Sequence, residues 1–237
     1  MQIAEFQFVE KEQMQSVLHD VGNMLHGITG YVELAAMRLE NDPEKVGEAL
    51  QRAMAAGAQA INFFHIMSRN LTASEPSPET FVAEIVEETV DFWGRIFSPG
   101  IEIRKNIEKD RCPVGACPAT VCQVAMNLII NAFQAMGDSG VLSVRVDTVA
   151  FGTSYVCLNN CLPPGRYSRI VVEDTGCGIP PEKLGKIFDS GFTTKSLGRG
   201  IGLAMVKKNL QRCGGGIRVR STPGKGTRFE VFFPCLH

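Results

Sequence analysis

Asn127 and Asn131 stand four residues apart in the apolar run Asn127-Leu128-Ile129-Ile130-Asn131-Ala132. Two glycine-bracketed segments follow, Glu173-Asp174-Thr175-Gly176-Cys177-Gly178-Ile179-Pro180 and Leu197-Gly198-Arg199-Gly200-Ile201-Gly202-Leu203. A nucleotide needs an acceptor for its base amine, bare backbone for its phosphates and an oxygen ligand for the accompanying cation. These segments offer all three. Asp174 can accept from an adenine amino group while Gly176 and Gly178 let the backbone pass close, and Asn131 can offer a carbonyl oxygen to Mg²⁺.

The spacing says which element must carry each group. Asn127 and Asn131 share one helical face, with Gln134 close by. Gly198, Gly200 and Gly202 lead into a helix, so backbone amides and the positive helix end can meet phosphates. Thr193, Thr194 and Lys195 precede them on an expected lid, where Lys195 can neutralise a terminal phosphate. Gly224-Lys225-Gly226-Thr227 reads as a hairpin turn before an edge strand. Other phosphate-binding patterns are excluded by spacing: no G-x-x-x-x-G-K-[ST] occurs, and neither glycine cluster matches G-x-G-x-x-G after a strand.

Further back, two apolar seams alternate steps of four and three. Met14, Leu18, Val21, Leu25, Ile28, Val32, Ala35 and Leu39 form one; Val46, Leu50, Ala53, Gly57, Ala60, Phe64, Met67 and Leu71 form the other. The turn at Asn41-Asp42-Pro43 predicts a helical hairpin, and two such seams predict pairing with a second copy into a four-helix bundle. Ser74-Glu75-Pro76-Ser77-Pro78 reads as a linker and puts a boundary near residue 76. Beyond it, strands near 101–103, 141–149, 169–172 and 228–233 alternate with helices near 118–136, 181–187 and 202–213. The fold class expected is α+β, a helical hairpin followed by an α/β sandwich. Residues 151–165 read as an irregular excursion between strands.

Composition sets outer limits. With 237 residues, 44% apolar and 21% charged, the chain can bury one large core or two smaller ones. A formal net charge of -1 provides no field for nucleic acid or an anionic membrane, so neither is expected as a partner. Eight cysteines lack paired CxxC knuckles, and no signal peptide or apolar run of membrane-spanning length is recognised. Reduced thiols and a cytoplasmic location follow as expectations, for a whole protein or the soluble portion of a larger sensor.

Taken in order, the segments resemble the N, G1, F, G2 and G3 boxes of sensor histidine kinases of two-component systems, which share the GHKL-type ATP-binding fold of gyrases and heat-shock chaperones. The likeness runs from about residue 16 to 234. It implies that residues 1–75 form a dimerisation and histidine phosphoacceptor domain and 76–237 a catalytic ATP-binding domain. It implies that Asn131 binds magnesium, Asp174 reads adenine and 179–200 closes over ATP, with Phe188 and Phe192 as lid aromatics. It also assigns Asn127, Gln134, Gly176, Gly178, Ile179, Thr193, Thr194, Lys195, Gly198, Gly200, Ile201, Gly202, Leu203 and Thr227 to the nucleotide site.

Leu18-His19-Asp20-Val21-Gly22-Asn23 is similar to the phosphoacceptor motif of that family. His19 lies one residue past a seam position, so its imidazole should flank the bundle; Asp20 can hold one ring nitrogen, and Asn23 lies one turn along. His26 shares the stripe but lacks these neighbours. The implied function is autophosphorylation of a homodimer on His19 from ATP and Mg²⁺, transfer to an aspartate of a response-regulator receiver domain, and phosphatase activity in reverse. The alternatives are an ATPase of the same fold and a nucleotide-binding dimeric scaffold without chemistry. Ala116-Cys117, Gln134, Gly191 and Ala204 depart from the common family pattern.

Overall fold

A computed structural model describes residues 28–33, 36–37, 46, 53, 57, 80–97, 100–108, 112–189, 191–192 and 202–236. The chain divides into two compact units, Met1–Ser74 and Glu75–His237. In the first, the described residues are helical, and Ile28 Cδ1 lies 3.9 Å from where a Cβ on Gly57 would stand, so one position of each seam approaches the other. Val32, another seam position, is 47% exposed and Met37 is 77% exposed.

The second unit is a five-stranded sheet under helices. In chain order its elements are α1 (Val82–Phe97), β1 (Ile101–Ile107), α2 (Pro118–Met136), β2 (Gly140–Phe151), β3 (Tyr155–Val156), β4 (Cys161–Leu162), β5 (Gly165–Asp174), α3 (Pro181–Leu184), α4 (Gly202–Arg212), β6 (Gly216–Thr222) and β7 (Gly226–Pro234). The sheet order is β1-β2-β5-β7-β6, with β1 parallel to β2 and every other pair antiparallel. Alternation separates its faces. Leu142, Val144, Val146, Ile170, Val172, Phe229, Val231 and Ile217 are buried on one face, while Arg145, Glu173 and Arg228 belong to the other.

The helices cover the apolar face. Val82, Val86, Val90 and Trp93 repeat at steps of four and three and are all at most 2% exposed, giving α1 one buried stripe. In α2, Pro118 sits in the first turn, where its missing N–H is not needed. The helix stops at Gly137, whose N–H donates to the Phe133 carbonyl. Both α1 and α4 pack on α2, which itself packs on β2, β5 and β7. Contrary to the sequence reading, α2 is long and apolar enough by composition to cross a bilayer, but here it is the central core helix, with Val121, Val124, Leu128 and Ile129 fully buried.

Two other expectations change. The 228–233 segment is interior, because β6, unpredicted, is the edge strand and lies beyond β7. Cys112 and Cys235 are joined in a disulfide, with Cα atoms 5.7 Å apart, so these two thiols are not reduced; the remaining six cysteines are free. Antiparallel bridges Thr80 to Val114 and Val114 to Cys235 run beside that link.

Residues 151–165 are ordered by packing. Phe151 stacks on Tyr155 with ring centroids 4.0 Å apart, and both meet Phe232 edge-on, over a small core of Leu162, Tyr167 and Phe232. Tyr167 and Phe232 lie on the face away from the helices, so the β3–β4 hairpin folds over an apolar patch that the helices do not reach. Arg218 donates to the Tyr155 hydroxyl from β6. At the hairpin tip the Leu158 N–H donates to the Ile217 carbonyl at 2.9 Å, and the Ile217 N–H donates to Asn159 Oδ1 at 2.8 Å.

Candidate nucleotide site

Asp174, the last residue of β5, faces Thr227 across β7, and Thr227 faces Ser221 across β6. Directly opposed residues project to the same face, so the three form one polar row at the sheet end, beneath the helices. Asp174 is 5% and Thr227 4% exposed. The Asp174 Oδ1 accepts from the Gly176 N–H at 2.8 Å and the Thr227 N–H at 3.3 Å. A carboxylate buried here is held by backbone donors, which leaves the row rich in acceptors.

The loop after Asp174 is tied on both sides. The Cys177 N–H donates to the Ala135 carbonyl at 3.0 Å, and a Cβ on Gly176 would lie 2.5 Å from that carbonyl, so the first loop glycine lets the segment lie flat against α2. Gly178 has φ +69°, and a Cβ there would lie 2.2 Å from the Thr222 carbonyl oxygen. Only glycine fits both the left-handed backbone and the approach. Gly224 N–H donates to the Cys177 carbonyl at 2.8 Å, and Ile179 N–H to Ser221 Oγ at 2.7 Å.

Asn127 is 8% exposed in α2, and its Nδ2 donates to the Gln123 carbonyl at 2.9 Å. Its Oδ1 would lie 3.0 Å from a Cβ on Gly202, so the start of α4 rests against this amide. Asn209 Nδ2 of α4 donates to Gln123 Oε1 at 2.7 Å. A half-buried Asn131 stands one turn on from Asn127, and an exposed Gln134 follows.

The structure thus brings Asn127 to Gly202, and Asp174, Gly176, Gly178, Ile179 and Thr227 to one another. Phe188 is buried and Phe192 half-buried after α3; Leu203 is half-buried in the first turn of α4. His19, Asp20, Asn23, Thr193, Thr194, Lys195, Gly198, Gly200 and Ile201 lie outside the described residues. Sequence reasoning missed Ser221, whose Oγ also lies 3.0 Å from the Gly226 carbonyl and 2.9 Å from Thr227 Oγ1. Its one signal was its place just before a glycine turn.

Comparison with known proteins identifies the family. The family model described as histidine kinase-, DNA gyrase B- and HSP90-like ATPase matches residues 117–237. The sensor kinase CckA of Brucella abortus is 31% identical over 98% of this chain and 26% of its own length. The sensor histidine kinase ZraS of Escherichia coli O157:H7 is 30% identical over 92% of this chain and 44% of its own. The chain therefore spans about a quarter to under a half of these relatives. Among solved structures, the mycobacterial sensor histidine kinase MprB has TM-score 0.51 and 21% identity, covering 66% of this chain and 95% of that one, which is a likeness of fold. The chain belongs to the histidine kinase-, DNA gyrase B- and HSP90-like ATPase family, and within it is similar to the sensor histidine kinases.

Proposed function

We propose that the chain is an ATP-dependent protein-histidine kinase of a two-component system. Residues 76–237 bind ATP, and His19, in residues 1–75, receives its γ-phosphoryl group. The observation that carries this reading is the buried row of Asp174 and Thr227 beside a glycine loop that packs flat on α2 and β6. Acceptors in that row suit the amino group of adenine.

The donor set also fits magnesium. Among the described residues no group of three His, Cys, Asp or Glu side chains could cage an ion. Mg²⁺ accepts that arrangement, because it keeps water and is held largely by substrate phosphates. The Asn131 carbonyl would be its protein ligand. When bound, the ion neutralises phosphate charge. In this reading the amides that open α4 and Lys195 supply the positive charge for the same phosphates, and Phe188 and Phe192 serve as the lid aromatics.

In the transfer, one imidazole nitrogen of His19 attacks the γ-phosphorus as the bond to the ADP oxygen breaks. Asp20 holds the other ring nitrogen and takes its proton. The phosphoramidate then passes its phosphoryl group to an aspartate of a response-regulator receiver domain, and Asn23 orients water when the same site drives dephosphorylation of the regulator. The working form is a homodimer, supported by the exposure of Val32 on its seam. Its setting is the cytoplasm, where ATP is available, as the soluble part of a larger sensor.

The hydrolase reading is disfavoured by Asn127. A neutral amide donating to the Gln123 carbonyl cannot activate water as a carboxylate would. Incubation with γ-phosphate-labelled ATP separates the readings. Wild type should yield a labelled protein whose adduct is lost in acid and survives base, and His19→Gln should remain unlabelled while still binding nucleotide. Retained label excludes His19, free phosphate without phosphoprotein favours the hydrolase, and unchanged ATP favours the scaffold.

A further inference from the structure

The row across β5, β7 and β6 contains a serine hydroxyl with two acceptors in reach. Ser221 Oγ accepts from the Ile179 N–H at 2.7 Å and donates to the Gly226 carbonyl at 3.0 Å. A serine hydroxyl has a single proton and two lone pairs. The contact of 2.9 Å to Thr227 Oγ1 can be made with either hydroxyl as donor, and with the Ser221 proton on the Gly226 carbonyl the donor is Thr227. Thr227 then spends its own proton on Ser221 and presents lone pairs alone to anything beside it.

The neighbour in that row is the Asp174 carboxylate, which already accepts from two backbone amides. A ligand edge lying against Asp174 and Thr227 therefore meets acceptors and no hydroxyl donor. A 6-aminopurine satisfies that pattern with its N–H groups. A 6-oxopurine brings a carbonyl oxygen against it, and two facing acceptors leave both unpaired when water is excluded.

We propose that Ser221 is a positioning residue for nucleotide selectivity: it holds the Thr227 hydroxyl as an acceptor and pins the adenine loop through Ile179, so that the site takes ATP over GTP. The inference rests on the adenine reading of Asp174 proposed above. Its reach is short and direct, because Ser221 and Thr227 are register partners in β6 and β7 and Ile179 directly follows the glycine seated on Thr222.

The test uses the full chain with Ser221→Ala, Ser221→Thr and Thr227→Val, titrated calorimetrically with magnesium ATP and magnesium GTP. Ser221→Ala should weaken ATP binding roughly tenfold while GTP changes by less than about twofold, since one neutral hydrogen bond is at stake. Ser221→Thr, which keeps the hydroxyl on a residue suited to strands, should restore the wild-type ratio. Adding Ser221→Ala to Thr227→Val should leave that variant's ATP-to-GTP ratio unchanged. Should Ser221→Ala unfold, Thr227→Val carries the test by itself, because it must lower the same ratio. Equal losses for both nucleotides, or no rescue by threonine, overturn the proposal while the adenine reading stands. A wild-type chain that binds no ATP removes that reading and this one together.

Discussion

Substituting Gly178 by alanine puts a Cβ 2.2 Å from the Thr222 carbonyl oxygen, on a residue at φ +69°. Relief to an ordinary contact of 3.4 Å requires the loop and the β6–β7 hairpin to separate by 1.2 Å, the difference of those distances. Left-handed backbone costs an alanine about 1–2 kcal/mol. The separation also stretches the Ile179 to Ser221 and Gly224 to Cys177 bonds, now 2.7 and 2.8 Å. Each is worth about 0.5–1.5 kcal/mol. The sum is about 2–5 kcal/mol, a fall in Tm of roughly 5–20 °C for a domain of this size. Gly224→Ala is the internal control: φ is +73° but nothing lies within 4 Å, so only the backbone term of about 1–2 kcal/mol remains. Gly185→Ala, at φ −69° with open space, should be neutral or slightly stabilising. Thermal melts of the three variants, each paired with an ATP titration, decide the matter. If Gly178→Ala melts with Gly224→Ala and binds ATP like wild type, the close packing of the loop on β6 is not what shapes the site.

Asp174→Asn keeps an oxygen for the Gly176 and Thr227 amides but turns an NH₂ toward the base; ATP affinity should fall roughly 10- to 100-fold with the melt nearly unchanged, measured by titration and calorimetry. Arg169 bonds both oxygens of Asp147, at 2.8 and 2.5 Å, and approaches Glu230 at 3.8 Å. Arg228 also holds Glu230, at 3.2 Å, so Arg169→Ala leaves the largely buried Asp147 carboxylate uncompensated and should destabilise the unit by about 3–5 kcal/mol in denaturant titrations. Burial pushes the Cys157 thiol up from 9.0 to about 11. The folded state favours the neutral thiol, so that contribution is complete below pH 9.0 and is lost as pH climbs toward about 11. Wild type should therefore lose more Tm across that window than Cys157→Ala, and a flat difference refutes the linkage.

The readable parts of this chain are those set by local rules. Pro118 and Gly137 bracket α2 to the residue, because a missing N–H and a helix-ending glycine act within one turn. Asp174 closes a strand and Gly202 opens a helix as the sequence pattern indicates. What was missed depends on partners far along the chain. β6 alternates Ile217 and Val219 with Arg218 and Arg220, a pattern that declares itself only when β7 is beside it. The Cys112–Cys235 link spans a separation of 123 residues and joins segments with no mutual spacing signal. Ser221 gains its meaning from cross-strand register, and residues 151–165 from Tyr167 and Phe232, which only the folded sheet brings beneath them.

The contact between the 151–165 hairpin and Ile217 bears on how the molecule behaves in a crowded solution. β6 has β7 on one side only, so its outward amides and carbonyls would otherwise be a template for another extended chain. Leu158 and Asn159 occupy both outward groups of Ile217, the second residue of that strand. The segment thus serves as a guard against strand-on-strand growth, and shortening it would expose a sticky border whose first symptom is concentration-dependent self-assembly, with the nucleotide pocket at the opposite end of the strand untouched.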